Sequence, residues 1–485
     1  MHSPPQMTYV PGQVIYVPNL TLVPLYPRLF CHDHDHSAVA SVTSFVWSPS
    51  FLHVGSRPKS LFQQPMGFQD RYIYTLVSRG QEHDTHIAFP AHVQIKDYIA
   101  WESRMEAGYD IIATTSLQLP VDSERLFFLK DRMKIGGSFM VVQSDVVSDK
   151  IGVKVVLITQ SDCLVNATQV CFLTRETGGH GVGILGDGEF PHDWNTSESV
   201  RITITLPQSP HGKLSLKTFE SNLPFICQSL TLDDRVTFQK LDILGDSAMI
   251  TAKNIFADQV QLKATNAAIL GVIKASESLS VSTSNARITG NFTCPKSVSV
   301  STSNAPIAGR FSSSNYISLT TINALIDADV DLLHDGISCE RTTSLKIQTT
   351  NGAINGTINV ASLAPTSRGG SFDISAVTSH GKNTLKFPII PPQAKLDIIA
   401  ATQSGAISVD LDEAYEGDFR VQTSEKADVV WKKVSDPEGE GRLRYVSWNC
   451  RNYGGVRGRV WWGERDSGKG TVNIGTDSGE ATLVM

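Results

Sequence analysis

Hydrophobic and polar residues alternate one by one in short runs along the second half of the chain, from about Leu214 onward. Between residues 260 and 330 this alternation recurs four times, 19 residues apart, around the motif T-x-N-A or its variant A-T-N-A. In the second copy, Leu279–Thr283 alternates before a turn at Ser284–Ala286, and Ile288–Phe292 alternates after it. Each copy therefore predicts two short strands around a turn. A fixed period near 20 residues is typical of one unit stacked on itself, so we expect a right-handed parallel β-solenoid with a period of about 19.

Two columns of the repeat carry specific structural predictions. The asparagine column should lie at a tight bend, where Asn tolerates left-handed backbone angles, and its stacked side chains should hydrogen-bond from one repeat to the next. The glycine column should mark a crowded inner position. The two columns are Asn266, Asn285, Asn304 and Asn323, and Gly271, Gly290 and Gly309 with Ala328 in the fourth copy.

Later copies drift but keep the signature T-x-[NHS]-[AG]. It recurs at Thr349–Gly352, Thr378–Gly381, Thr402–Gly405 and Thr476–Gly479, and the spacing between copies widens. The widening indicates loops inserted on one side, which is where solenoids usually carry binding function.

The chain before the repeats predicts two further regions. Residues 1–136 form an ill-defined, partly irregular N-terminal segment, with one expected helix near Asp97–Glu106. Residues 137–213 predict a small β-domain that leads directly into a solenoid over residues 214–485. The strands expected in the small domain are Ser138–Gln143, Ile151–Ile158, Gln169–Thr174 and Val200–Leu206.

The composition argues against some classes of protein but does not identify a function. Hydrophobic residues make up 41% of the 485 residues and charged residues 19%, with a formal net charge of −6. This charge gives no case for a strongly basic nucleic-acid binder. No stretch is apolar for long enough to predict a transmembrane helix, and prolines interrupt the first apolar run where a secretory signal would stand.

The cellular compartment is not determined by these features. The seven cysteines are widely separated and form no CxxC pair, which favours reduced thiols. A cytoplasmic location is the default, with the cell surface or secretion as the alternative. N-x-S/T sequons are weak evidence for secretion in a chain this rich in Ser and Thr, and they stand at Asn19, Asn166, Asn195, Asn291 and Asn355.

The candidate ligand-binding residues are aromatic side chains near the C-terminus, interleaved with arginines such as Arg444, Arg457 and Arg459. Such a surface could stack on sugars or on single-stranded nucleic acid, or contact a protein surface. Alternatively, the aromatic residues cover the last turn of the solenoid, whose strand edges would otherwise be exposed. Both interpretations remain open for Tyr445, Trp448, Tyr453, Trp461 and Trp462.

Patterns that resemble enzyme sites are incomplete. Gly181–Gly186 spells G-x-G-x-x-G, but no helix pattern follows, so we interpret it as a glycine-rich β-turn loop rather than a dinucleotide site. Gly179–Gly181 with Asp233 and Asp234 is similar to part of the polygalacturonase set, yet that family's other motifs are missing. We predict no catalytic residues and no cofactor.

Two motifs contain residue types that bind metal ions, but neither has a pattern that predicts a metal site. Cys31–His36 packs metal-ligand residue types into six positions without a second ligand pair at a defined spacing, so a solvated polar run is the preferred interpretation. Asp327, Asp329 and Asp331 alternate on an expected strand whose core positions belong to the intervening residues. We therefore expect these aspartates on the outer surface.

From about Gly137 to the C-terminus, the chain resembles a fungal domain-of-unknown-function family related to the bacterial putative-adhesin β-solenoids. The motifs that carry the resemblance are Val170–Arg175, Gly178–Ile184, Ile202–Pro207, Phe219–Pro224, the T-S-N-[AG] units and Val456–Trp461. The resemblance implies a solenoid fold and an adhesin-like role, and it carries no catalytic residues. The leading functional hypothesis is thus a non-enzymatic structural or adhesin-like binding protein. A polysaccharide-active β-helix enzyme and an intracellular scaffold remain the alternatives.

Overall fold

The structure is a computed structural model that describes residues 92–107, 110–131, 133–186, 198–335, 341–451, 455–464 and 469–485. These residues belong to one compact unit, Gln69–Met485. The described part is mainly β, with 31 strands in one long mixed sheet and a single short helix. No described helix is both long and apolar enough to cross a membrane. The motif at Cys31–His36 and the sequons at Asn19 and Asn195 lie outside the described residues.

The strands in the first third of the described chain form both antiparallel and parallel pairs. Strands β1 and β7 pair antiparallel, as do β7 and β8, while β4 and β5 run parallel to β8 and β9. The elements are β1 (Val93–Ile99), β2 (Ser103–Ala107), β3 (Asp110–Pro120), β4 (Arg125–Lys130), β5 (Gly136–Val147), β6 (Lys150–Thr159), α1 (Asp162–Ala167), β7 (Thr168–Arg175), β8 (Gly179–Gly186) and β9 (Ser199–Gln208).

Two of the local predictions for this region are wrong and four are confirmed. The expected helix at Asp97–Glu106 is instead the end of β1 and most of β2, because β1 pairs with β7, far along the chain. The glycine-rich turn expected at Gly181–Gly186 is part of strand β8, paired with both β7 and β4. The four strands expected between residues 138 and 206 are all present within β5, β6, β7 and β9.

The repeat region forms two parallel ladders. Ile269, Ile288, Ile307 and Ile326 are successive partners in one ladder, and Leu279, Val298 and Ile317 in the other. Every one of these residues is buried. The strands are β10 (Leu214–Asn222), β11 (Ile226–Thr231), β12 (Val236–Leu244), β13 (Ile250–Lys263), β14 (Ile269–Ser282), β15 (Ile288–Thr293), β16 (Ser297–Ser301), β17 (Ile307–Ser313), β18 (Tyr316–Thr320), β19 (Ile326–His334), β20 (Thr343–Gln348), β21 (Ile354–Ser362), β22 (Ser371–Val377), β23 (Asn383–Ile389), β24 (Lys395–Ser404) and β25 (Ile407–Leu411).

The ladders extend upstream of Leu214 without a break in pairing. Strand β10 lies between β4 and β12, and β11 lies between β5 and β13. The core is correspondingly continuous, running from Ile111 to Met485. A second small core lies around Phe127, Leu173 and Leu185. The predicted boundary between a small domain and the solenoid at residue 213/214 remains a prediction.

The predicted asparagine hydrogen bonds are confirmed. Each Asn side-chain amide donates to the Asn carbonyl oxygen one copy earlier, with N–O distances of 2.7 Å from Asn285 to Asn266 and from Asn304 to Asn285. The left-handed backbone expected there is wrong, since no described member of the column has a positive φ. Backbone N–H groups of each bend, such as those of Ser284 and Asn285, instead donate to Thr265 O of the preceding copy, which holds the bend in place.

The glycine column is crowded, as predicted. A Cβ atom at Gly290 would lie 2.0 Å from Gly271 O, and one at Gly309 would lie 2.0 Å from Gly290 O. Both contacts are far too short for a side chain, so the backbones of adjacent copies leave room for glycine only.

The strands after β25 do not stack in chain order. They are β26 (Gly417–Gln422), β27 (Ala427–Val430), β28 (Arg444–Arg451), β29 (Gly455–Trp462), β30 (Gly470–Ser478) and β31 (Ala481–Val484). The last two strands lie between earlier ones, because β30 pairs with both β24 and β26, and β31 with both β25 and β27. The hairpin β28–β29 then pairs through β29 with the far edge of β26.

Candidate binding surface on the C-terminal hairpin

The hairpin β28–β29 separates the predicted aromatic residues onto two faces. Successive side chains of a strand point to opposite faces of the sheet, so Trp461 and Trp462 lie on different sides. The register places Tyr445 opposite Trp461, and Arg444 opposite Trp462. We call the side that carries Trp462, Val460 and Phe419 the inner face, because all three are buried in or against the core. The side that carries Tyr445 and Trp461 is the outer face.

The inner face covers the end of the core. Trp462 is 4% exposed; its backbone N–H donates to Glu416 Oε1 at 2.9 Å and its indole N–H to Glu413 O at 3.1 Å. Trp448 stacks on Trp431 with ring centroids 5.2 Å apart and an interplanar angle of 10°. Trp431 in turn packs edge-on against Phe419. These contacts match the capping interpretation for Trp462, whereas Trp448 is 52% exposed and reaches the core only through its stacking on Trp431.

Arg444, one of the interleaved arginines, also belongs to the inner side. Its guanidinium lies over the Trp462 ring, 5.7 Å from the centroid. Burial lowers its pKa, and the nearby carboxylates of Glu413 and Asp412 oppose that shift. Arg444 therefore lies against the ring of Trp462 on the inner side and does not belong to the outer face.

The outer face carries a stacked aromatic pair, of which Tyr445 is exposed and Trp461 is half-buried. Tyr445 and Trp461 stack on one another with centroids 5.6 Å apart and an angle of 18°. Tyr445 is 43% exposed. Being opposite each other on paired strands, the two rings are held as one platform beside the polar rows of the same face.

Two rows of polar residues cross the outer face next to this pair, each formed by directly opposed residues on β28, β29, β26 and β30. We call them the mixed row and the basic row. The mixed row is Ser447, Arg459, Asp418 and Thr471, and the basic row is Asn449, Arg457, Arg420 and Asn473.

The two charged side chains of the mixed row, Arg459 and Asp418, form an ion pair. Arg459 donates to Asp418 through Nε at 2.5 Å and Nη2 at 2.7 Å, the two-bond geometry favoured by guanidinium and carboxylate groups. Asp418 raises the pKa of Arg459, which is in any case always protonated. In the basic row, Arg420 Nη2 donates to the neutral Gln422 Oε1 at 2.5 Å. An open recess of about 260 Å³ is lined by Arg420, Arg457, Asn473, Asp418 and Thr471, among others.

Sequence reasoning found part of this surface. Tyr445 and Trp461 lie together on the outer face, whereas Trp448 and Trp462 lie on the inner one, and Tyr453 lies outside the described residues. Arg420 and Asn473 were missed. No local signal could have found them, because only the pairing of β26 with β29 and β30 brings them to Arg457.

The residues that resemble a polygalacturonase set have local partners. Asp233 accepts hydrogen bonds from Arg235 and Gln143, which lower its pKa to about 2. A general acid needs a raised pKa, so Asp233 is unsuited to that role. His180, on β8, has a different partner, since its Nδ1 lies 2.9 Å from Ser123 Oγ.

The alternating aspartates lie as expected on the outer side of β19. Asp327 and Asp329 are exposed, while Ile326, Ala328 and Val330 between them are buried. Asp331 pairs with Arg310 at 2.8 Å and accepts a hydrogen bond from Asn359 at 3.0 Å. Within the described ranges, no group of three or more His, Cys, Asp or Glu side chains is arranged to hold a metal ion.

No family model matches the chain, and no curated protein is similar to it. A search of solved structures finds the crystal structure of "a putative cell adhesion protein from Clostridium sporogenes". The two chains share 8% identity with a TM-score of 0.15, over 76% of this chain and 99% of that one. A likeness this weak supports no argument about the function of this chain.

Proposed function

We propose that this chain is a non-enzymatic, adhesin-like binding protein, built as a right-handed parallel β-solenoid with a period of about 19. Its ligand contacts the outer face of the C-terminal hairpin. One observation carries the proposal: the stacked pair of exposed Tyr445 and half-buried Trp461 lies on the same face as two rows of polar side chains. Exposed aromatic rings next to arginines are typical of binding surfaces.

The surface is suited to binding because its framework is built from paired strands. Strand β26 is hydrogen-bonded on both edges, to β29 and β30, and its inward residues Phe419 and Val421 are buried. Sites on sheet strands hold side-chain positions more closely than sites on loops. The described carboxylate in the two rows, that of Asp418, is already bound by Arg459. This arrangement favours recognition over acid–base chemistry.

The chemistry of the outer face favours a carbohydrate over an apolar protein partner, since only two of its described side chains are aromatic and the rest are polar. We also propose that the chain belongs to the fungal family that it resembles, which is related to the bacterial putative-adhesin β-solenoids. A polysaccharide-active enzyme and an intracellular scaffold are the competing functions.

Beads coated with the protein should test the proposal by their retention on surfaces bearing neutral or acidic polysaccharides or matrix proteins. We expect the wild type to bind at least one polysaccharide, and the double variant Tyr445→Ala/Trp461→Ala to bind at least tenfold more weakly with a melting temperature within about 3 °C. Tyr316→Ala is the matched control, because Tyr316 is a 37% exposed aromatic residue on β18, distant along the ladder. If the protein releases reducing ends from a polysaccharide and Asp233→Ala/Asp234→Ala abolishes that release, the protein is a polysaccharide-active enzyme and the proposal is rejected. Absence of retention on every surface would leave the scaffold.

A further inference from the structure

Four strands lie at edges of the sheet, each with a single partner among the described strands. They are β1, β2, β27 and β28, which pair with β7, β3, β31 and β29 respectively. The unpaired side of an edge strand is a template for pairing with another chain. Proteins therefore usually shorten such a strand, bend it with a bulge or place charged side chains on it.

Three of the four edge strands have these protective features. Strand β1 contains a β-bulge between Ile95 and Asp97. Strand β2 is five residues long and carries the exposed Arg104. Strand β27 is four residues long, and its Asp428 forms an ion pair with Lys426 at 2.5 Å. Each of these strands is a poor template for a second chain.

Strand β28 is different from the other three. It is eight residues long and pairs with β29 without a register shift. Residues 445–449 contain no charged side chain. Ser447, Trp448 and Asn449 are exposed one after another, although successive side chains lie on opposite faces of a strand. Both faces of β28 are therefore accessible along its free edge, which is the side away from β29.

This edge also exposes large apolar side chains. Trp448 lies on the inner face and is 52% exposed, although it stacks on Trp431. Leu443, which directly precedes β28, is 68% exposed. Exposed large apolar side chains beside a long unpaired strand favour a surface that another chain covers.

The pairing with β29 determines which backbone groups of β28 point to the free edge. Gly463 N–H donates to Leu443 O at 2.9 Å. In an antiparallel pair, the residues that exchange hydrogen bonds with the partner strand alternate with residues that do not. The odd-numbered residues of β28 therefore direct their backbone groups to β29. The even-numbered Val446 and Trp448 direct theirs to the free edge.

We propose that the free edge of β28 pairs with β28 of a second copy of this chain, antiparallel and about a two-fold axis at Ser447. In this register Val446 is opposite the second copy's Trp448, and their outward backbone groups exchange hydrogen bonds. On the outer face, Tyr445 is opposite the second copy's Asn449. A one-residue shift would place inner-face residues opposite outer-face residues, so the register is specified.

Self-complementarity is the reason for a second copy as the partner. A two-fold axis brings the same residues to both sides of a contact. Val446 and Trp448 both lie on the inner face, so each copy supplies the aliphatic side chain that covers the other copy's exposed indole. The uncharged centre of β28 places no like charges opposite one another.

The dimer would enlarge the proposed binding surface. Antiparallel pairing about this axis puts both outer faces on the same side of one continuous sheet, so two Tyr445–Trp461 pairs face the same ligand. Two linked sites bind a polymer or a coated surface more tightly than one site does. This consequence rests on the proposed function, whereas the dimer itself does not.

The test is the mass of the full chain in solution. A contact made by one pair of strands predicts a weak, reversible dimer, so sedimentation velocity should cover about 1 to about 100 µM protein. We expect the mass to rise with concentration from 52.8 kDa toward twice that value. Amide hydrogen exchange at Val446 and Trp448 should be slower in the dimer. A mass of one chain throughout, or a dimer with unchanged exchange in β28, would overturn the proposal.

A charge exchange at Ser447 tests the register. Ser447→Lys and Ser447→Glu should each abolish the dimer, because each places two like charges directly opposite one another at the axis. An equal mixture of the two variants should form dimers again, since Lys is then opposite Glu, and this recovery also shows that both variants fold. A dimer that Ser447→Lys leaves intact, or variants that stay monomeric when mixed, would contradict the proposed pairing.

The matched control is Ser280→Lys. Ser280 is an exposed serine on β14 with a strand on each side, so the same substitution is made within the sheet and away from its edge. This variant should dimerise as the wild type does, and its loss of the dimer would show that added charge alone is responsible and overturn the proposal. Because these experiments contain no ligand, a monomeric wild type would leave the proposed binding function standing, and absence of retention on polysaccharide would leave the dimer standing.

Discussion

At the residue scale, the threonine and the asparagine that recur in the repeat signature have different physical roles. In every copy that begins with threonine, this residue is buried. Its hydroxyl donates to the carbonyl of the Ala or Gly position one copy earlier, at 3.3 Å for Thr302 to Ala286 O and 2.9 Å for Thr378 to Gly352 O. The asparagine is exposed and bonds to its counterpart at the surface. The T-x-N-A motif therefore joins copies both inside and outside the bend.

Replacing Thr302 with Val keeps the shape of the side chain and removes its donor, whereas Thr302→Ser keeps the donor. We expect Thr302→Val to lower the free energy of unfolding by about 1 kcal/mol, because a buried hydrogen bond is worth about that much. Asn304→Ala, which removes exposed hydrogen bonds, should cost less. Chemical denaturation with hydrogen exchange at the bend measures both. A larger loss for Asn304→Ala would show that the surface ladder dominates.

Lys130 predicts a pH dependence of stability. The residue is 5% exposed, its ammonium donates to Met133 O, and burial lowers its pKa from 10.5 to about 8, partly offset by Asp131. Between pH 8 and 10.5 the unfolded chain binds this proton more tightly than the folded chain does. Stability attributable to Lys130 therefore rises with pH across that window.

We expect Lys130→Met to gain stability relative to the wild type at pH 7, by up to about 3 kcal/mol, and the gain to shrink as the pH rises from 8 to 10.5. Denaturation midpoints of both proteins at several pH values measure this difference. Lys154→Met is the control, because it makes the same substitution at an exposed position on β6, and it should give no such gain at pH 7. A constant gain for Lys130→Met would contradict the burial argument.

At the scale of elements, β30 and β31 connect the end of the sheet to the rest of it, because they lie between β24 and β25 on one side and β26 and β27 on the other. Val472, Ile474, Leu483 and Met485 are buried, and Met485 exchanges backbone hydrogen bonds with Val430 and Lys432. Without these strands, β26 and β27 would have no partner toward β24 and β25.

Deleting residues 470–485 should release β26–β29 from the sheet while the ladders up to β25 stay folded, because repeats in a stack depend mainly on their neighbours. Limited proteolysis with mass spectrometry should then find new cleavage sites after residue 411 and a resistant fragment before it. Protection of residues 417–462 in the shortened chain would show that the hairpin holds them unaided. Loss of resistance throughout would show that the sheet unfolds as one unit.

At the scale of the whole molecule, one continuous core joins the repeats to the strands that precede them. The sequence indicated the strands of residues 138–206 and the alternation in the repeats correctly. It failed at Asp97–Glu106, where pairing with β7 outweighs the local helix pattern. It also failed at Gly181–Gly186, because glycines packed against Phe127 lie within a strand rather than a turn.

The sequence by itself determined the β content, the buried columns and the asparagine ladder of this protein. These follow from a period of two within a repeat of fixed length, and both are local patterns that each copy restates. Only the tertiary structure decided which aromatic residues cap the core and which face outward, and that Arg420 lies beside Arg457. Those facts depend on the register between strands that are distant in the chain, and a one-residue change of register would move every side chain to the other face.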